Sequence, residues 1–245
     1  MKRVVCFSWI PAAMAMMLAV GCATTATQRY TPRFDYTPPK AAKPAAANIT
    51  FAVVNATYPD RMPLFDEFSQ NMSKDFFEIL TARGFTVRGP FRTYDDITFP
   101  DKKGSDLILI PELQINPDAS NVRWEQSLMS ALLPGASKYT GTGTVTITGR
   151  VNLVIAESLS REKMWTKSVD IPAVTIPIEE TQSYSMPGIN VRTLIQNEAT
   201  IYNGVAQGLE KQYKAILERA YAYLDPDEIQ LVKKQAQEIR AKKVY

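Results

Sequence analysis

The chain has 245 residues, with 28 Lys+Arg against 25 Asp+Glu, no histidine, two cysteines and 45% hydrophobic residues. That length favours one domain over two and is ample for a sizeable core. A formal net charge of +3 is too weak for a phosphate-binding footprint, so nucleic acid is not an expected partner. The lack of histidine removes Ser-His-Asp and Cys-His pairs and imidazole metal sites, and with neither cysteine beyond position 22 four-cysteine zinc and disulfide frameworks go as well.

Met1 to Cys22 (MKRVVCFSWIPAAMAMMLAVGC) opens on the cations Lys2 and Arg3, continues as an apolar run from Val4 to Val20, and ends on small residues before the cysteine. A run of about 17 residues, interrupted by Ser8 and Pro11, falls short of a permanent span of ~20 and has the build of a secretory signal over residues 1–21. Ala19-Val20-Gly21-Cys22 resembles a bacterial lipobox, with Ala19 where leucine is commonest. In such signals the cysteine thiol receives a diacylglycerol, cleavage precedes it and its new amine is acylated. The alternative is that Cys22 is a small residue in an uncleaved N-terminal helix. At ~0.8 kcal/mol per buried methylene, one long acyl chain supplies roughly 10 kcal/mol and a second makes release negligible. Ala23 after the cysteine, where Asp would retain the protein, resembles an outer-membrane destination. Cys6 leaves with the signal and Cys22 is capped by lipid, so the mature chain has no free thiol.

Ala23 to Ala47 is rich in Ala, Thr and Pro (Pro32, Pro38, Pro39, Pro44) and shows no apolar period, so residues 22–47 read as a lipidated cysteine and its tether. At ~3 Å per residue that spacer could hold a domain up to roughly 75 Å from the membrane. The folded part, 48–245, starts with a buried strand over Ile49 to Ala56. Phe65, Phe68, Met72, Phe76, Ile79 and Leu80 then recur at threes and fours, predicting a helix over Pro63 to Arg83 with Gly84 as its stop. Extended patterns follow at Phe85 to Arg88 and Asp106 to Ile115, where Pro111 hints at an edge or a bulge. From Thr144 to Ile155 apolar and polar residues alternate; Leu159 to Glu162 makes a turn, and Lys163 to Ile178 returns with Trp165, Val169 and Ile171 on one face, a long β-hairpin. Arg192 to Leu224 is a long helix. Asp225, Pro226 and Glu228 supply a cap, a first-turn proline and a capping box for a last helix striped by Ile229, Val232, Ala236 and Ile239. The expected fold is α+β: a mostly antiparallel sheet, helices packed on one face, and long C-terminal helices.

Little in the chain reads as chemistry. The adjacent acids Asp95-Asp96 and Glu179-Glu180 read as solvated loop charges, Asp101 to Asp106 lacks EF-hand spacing, and the Gly141-Thr142-Gly143 pair precedes a strand and reads as turn geometry. No catalytic residue, metal or cofactor is expected. Ser127 to Ser137 (SLMSALLPGAS) is uncharged and apolar, either a short helix closing the core or an exposed patch for a partner or membrane. Just before it, Arg123 and Trp124 combine a cation with an aromatic face, residue types that suit a sugar and equally suit the edge of a core. An exposed apolar strip on the long helix would pair two copies of the chain as a homodimer.

The order and spacing of Phe76-Phe77-Glu78-Ile79-Leu80 with Arg83-Gly84-Phe85-Thr86-Val87, of Asp95-Asp96-Ile97-Thr98-Phe99 with Lys102-Lys103-Gly104, of Glu112-Leu113-Gln114-Ile115-Asn116-Pro117-Asp118, and of the hairpin from Gly143 resemble the neuraminyllactose-binding haemagglutinin-like lipoproteins. These are bacterial outer-membrane and flagellar-sheath adhesins. The resemblance implies a non-enzymatic outer-membrane lipoprotein, anchored through Cys22, whose domain meets a host glycan or an envelope protein, or an accessory lipoprotein of the flagellar sheath. The family's sialic-acid-binding run is basic and follows the Pro-Asp; the matching stretch here, Ser120 to Gln126, holds the single cation Arg123.

Overall fold

The computed structural model describes residues 28–40, 49–126, 139–183 and 190–243. Its strands are β1 (Thr50–Val54), β2 (Thr86–Phe91), β3 (Leu107–Asp118), β4 (Arg123–Gln126), β5 (Tyr139–Glu157) and β6 (Lys163–Ser183); its helices are α1 (Pro63–Ala82), α2 (Phe99–Lys103), α3 (Val191–Asn197), α4 (Ala199–Tyr223) and α5 (Pro226–Lys242). One sheet runs in the order β2-β1-β3-β5-β4, with β6 also paired to β5. The β1 pairs with β2 and β3 are parallel and the rest antiparallel, which is the mostly antiparallel α+β sheet the alternation predicts. No helix among the described residues is long and apolar enough to cross a membrane.

The alternation in β5 sends Val145, Ile147, Val151, Leu153 and Ile155 into the core. In β6 the inward residues are odd-numbered up to Ile171 and even-numbered from Val174 to Ile178. The register explains the change: Gly149 pairs with Ile171 but Ile147 with Val174, so Pro172 and Ala173 form a bulge that flips the strand's parity. Pro172 and Pro177 sit on this outer strand, where a missing N–H breaks no ladder. Pro111 lies in an interior strand opposite Leu153. The β1 pairing with β3 ends before it, at Val53 and Leu109.

α1 buries the predicted stripe, and Gly84 ends it at φ 89, a left-handed conformation that a side chain disfavours. The predicted helix from Arg192 to Leu224 is two helices. Glu198 is extended (φ −93, ψ 108), and the break lets Leu194 and Ile195 of α3 and Ile201 of α4 all face the core. In α4, a Cβ on Gly208 would lie 2.2 Å from Val174 and one on Gly204 2.8 Å from Ile176, so two glycines let the helix lie close on β6. Asp225 caps α5, accepting from the backbone N–H of Asp227 and Glu228 at 3.0 and 3.3 Å. Glu228 does not complete a capping box: its carboxylate accepts from Trp165 Nε1 at 2.7 Å and faces Lys167, tying α5 to β6.

Residues 28–40, which composition assigns to a free spacer, instead form a strap along the helices. Arg29 donates to the Gln196 carbonyl, Tyr30 N–H to Asn203 at 2.7 Å, and the Tyr30 hydroxyl to Glu210. Further along, Phe34 and Tyr36 are buried, and Pro39 accepts from the Tyr221 hydroxyl at 3.2 Å. Phe34 packs edge-on to Phe68 of α1 at 5.1 Å and against Tyr213 of α4 at 5.2 Å. The strap thus fills the groove between two helices that run side by side, and every second side chain, Pro32, Phe34 and Tyr36, turns inward, an extended period absent from composition alone.

Beneath the strap the Tyr213 hydroxyl donates to Asp75 at 2.6 Å, with both residues at 2% exposure or less. Burial pushes the Asp75 carboxyl up to about 6, with Glu78 and Asp35 adding to the shift and the Tyr213 hydrogen bond and Lys74 opposing it. Unfolded, the group titrates near 3.9. Between those values the folded state binds the extra proton, so this group's contribution is complete below about pH 4 and is lost as pH rises through about 6. The shift corresponds to about 3 kcal/mol. Urea midpoints at pH 4 and pH 7 should show this slope in the parent and a flatter profile in Asp75→Asn. Phe34→Ala should lower stability by about 3–5 kcal/mol, read in the same experiment; an unchanged midpoint would mean that the strap is not part of the folded core.

Candidate functional site

Arg123 and Trp124 lie on β4, opposite Thr142 and Gly141 of β5. Trp124 is half-buried and packs against the main core, whereas Arg123 is exposed. Neighbours on a strand point to opposite faces, so the two are not brought onto one surface. The Trp124 ring occupies the space over Gly141, where a Cβ would lie 2.7 Å from it. Gly143 holds φ 137, and a Cβ there would meet the Asn121 carbonyl at 2.4 Å. The two glycines therefore belong to an irregular stretch of β5, not to a turn. They admit an indole ring and a close backbone approach.

The acidic candidates are structural. Asp96 accepts from Arg92 and from Thr93 in a capping box, which holds its carboxyl below the usual range. Asp101 accepts from Arg88 and Thr98, and Asp106 accepts from Lys233 at 3.2 Å and Thr50 N–H at 2.8 Å. Glu157, fully buried, anchors a larger cluster. Burial alone would raise its carboxyl; the N–H groups of Ser160 (2.6 Å) and Leu159 (3.0 Å) and the Arg240 guanidinium (2.5 Å) outweigh that and hold it below the usual range. Arg240 also reaches Ser158 and the Ser105 carbonyl. The buried charges of this cluster are consumed in joining α5, the β5–β6 turn and the start of β3. Among the described residues, no three Cys, Asp or Glu side chains gather as a metal site. Cys22, the Ser127 to Ser137 stretch and the side chains of Glu179 and Glu180 lie outside the described residues.

Two grooves flank the outer face of α4, and neither has a sequence signal. One, of about 340 Å³, is lined by Tyr36, Thr37 and Pro39 of the strap with Lys214, Glu218 and Tyr221. The other, of about 250 Å³, runs between β6 and α4 past Asp170, Pro172, Lys211, Gln212 and Arg219. Each holds a buried polar atom with no hydrogen-bond partner among the described residues, the Tyr36 hydroxyl and Gln212 Oε1. Burial raises the Tyr36 hydroxyl above its ordinary range, so it stays protonated and can donate. These volumes sit at or below the low end of small-ligand pockets. They suit an extended or shallowly bound partner and could not enclose one. Only tertiary docking of the strap creates the first groove.

No protein-family model and no curated protein matches the chain. Solved structures do. A neuraminyllactose-binding haemagglutinin homologue from Helicobacter pylori is 15% identical, with a TM-score of 0.43, over 77% of this chain and 97% of that one. A protein of Xanthomonas campestris is 12% identical, with a TM-score of 0.35, over 84% of this chain and 96% of that one. A PelC dodecamer from Paraburkholderia phytofirmans is 9% identical, with a TM-score of 0.29, over 69% and 91%. Likeness this distant carries no ligand, activity or partner across, and does not make the chain a member of any of these families.

The Trp124–Gly141 contact makes a direct prediction. Gly141→Ala should cost about 1–3 kcal/mol by crowding the ring, and Trp124→Ala should relieve that crowding. The double variant should then be more stable in urea than the sum of the two single losses implies; strict additivity would place the ring elsewhere.

Proposed function

We propose that the chain is a non-enzymatic lipoprotein of the bacterial outer membrane, anchored through acylated Cys22, that presents its α+β domain for contacts at the host or envelope surface. The observation that carries this reading is the N-terminal order of two cations, an apolar run, small residues and Cys22, followed within a few residues by a strap that joins this end of the chain to the core. Buried and perturbed carboxyls engaged by Tyr213 and Arg240 support a binding role over a chemical one. The adhesin form of the reading rests on the family resemblance, with Arg123 and Trp124, on opposite faces of β4, as separate candidates for glycan contact. The strap favours the other form, an accessory lipoprotein of an envelope assembly such as a flagellar sheath, because it draws the domain in towards the membrane and shortens its reach.

Intact mass of the purified mature protein should show acyl mass on a chain beginning at Cys22, and Cys22→Ser should leave the signal uncleaved and abolish that mass. A Cys22→Ser variant that matures and fractionates like the parent would overturn the anchor. Protease treatment of intact cells then separates the two forms. Digestion of the domain together with binding on a sialylated glycan array, lost in Arg123→Ala and Trp124→Ala, supports the adhesin; protection until the membrane is breached, with no glycan bound, supports the accessory role.

A further inference from the structure

The direction of the strands and helices sorts the domain into two ends. β3 runs parallel to β1, starting at Leu107 beside Phe51 and ending at Asp118, about 40 Å away. The end at Leu107 carries the β5–β6 turn, α2 and the Arg240–Glu157 cluster. The opposite end carries the N-terminus of α1, with Asp60 ion-paired to Arg192 of α3, and the tip where β4 pairs with the first residues of β5. The strap begins at this second end: Gln28 accepts from Asn203 near the start of α4 at 3.0 Å, and Arg29 stacks over Tyr202 at 5.2 Å.

From Cys22 to Gln28 the chain covers six residue steps, which span at most about 20 Å when fully extended. A spacer of free residues 22–47 would have reached several times further.

We propose that the end bearing the start of the strap, the N-terminus of α1 and β4 is the face held against the bilayer, with the exposed Arg61 and Arg123 directed at phospholipid headgroups. This rests on the anchor proposed above. Exposed acids such as Glu125 stand at the same end, so the short link, not a strong charge attraction, sets the orientation. Exposed arginine suits the boundary between water and lipid, where its guanidinium pairs with headgroup phosphate. The opposite end, about 40 Å off, points away from the membrane and leaves α2 and α5 open to a partner.

Beyond Cys22, which the proposed lipid caps as a thioether, the mature chain has no cysteine, so single introduced cysteines label cleanly. Acylated protein carrying a fluorophore at Arg61→Cys or Glu125→Cys, or at Lys103→Cys or Glu238→Cys on the far end, is reconstituted on vesicles of phosphatidylethanolamine and phosphatidylglycerol that contain a nitroxide-headgroup lipid. Labels at 61 and 125 should be quenched about twofold or more beyond those at 103 and 238, and twelve Gly/Ser residues inserted after Thr27, adding up to about 40 Å of link, should erase the difference. Equal or reversed quenching in protein that floats with the vesicles overturns the orientation and leaves the anchor standing. Protein that fails to float overturns both. A difference that survives the insertion overturns the role given to the link.

Discussion

The structure depends on one aromatic contact between a segment that composition marks as spacer and two helices that would otherwise leave a furrow between them. Phe34 enters that furrow, with Phe68 on one wall and Tyr213 on the other, and the three ring centroids lie 5.1 to 5.4 Å apart. Fully burying a side chain of this size is worth roughly 2–3 kcal/mol, and edge-to-face ring geometry adds about 1 kcal/mol more. The same contact closes Asp75 and the Tyr213 hydroxyl off from water, which is why an acid there holds its proton towards neutrality. The end of the chain leading to the proposed lipid and the centre of the fold are therefore one mechanical unit.

The other half of the domain is held by charge. Arg240, Glu157, Ser158 and Ser105 join α5 to the β5–β6 turn, while Lys233 and Asp106 join it to the start of β3 and, through Thr50 N–H, to β1. Burying ions is costly, so such clusters are weak evidence for net stability. Here they give a strongly polar helix one seat on the sheet. An amphipathic stripe of Ile229, Val232 and Ala236 could slide; hydrogen bonds to named carbonyls cannot.

This distribution bears on function. Among the described residues the perturbed acids are spent on architecture, which leaves shallow grooves beside α4 and the strand β4 at the surface. On the proposed anchor, a protein built this way acts by position, placing a rigid face at a set distance from a membrane. Under the same proposal, the strap makes that distance a property of the fold and not of a flexible linker.

The elements whose burial follows a simple period were legible in the sequence: the α1 stripe, the alternation of β5, the Gly84 stop and the Asp225 cap. The proposed N-terminal signal rests on residue order alone and needs no folded partner. The misread features all depend on a neighbour distant in the chain. Glu228 suits a capping box until Trp165 comes within reach of it; Gly141 and Gly143 look like a turn until Trp124 and Asn121 press on them; the helix from Arg192 breaks at Glu198 to serve two core contacts at once; and the bulge at Pro172 reverses a face that sequence parity had set. The strap is the clearest case. Local sequence determined that residues 28–40 would be extended, because prolines exclude a helix. Only the furrow between α1 and α4 decided that Phe34 and Tyr36 would be buried, because the free energy of burying an aromatic ring belongs to the cavity that receives it and cannot be read from the segment that carries it.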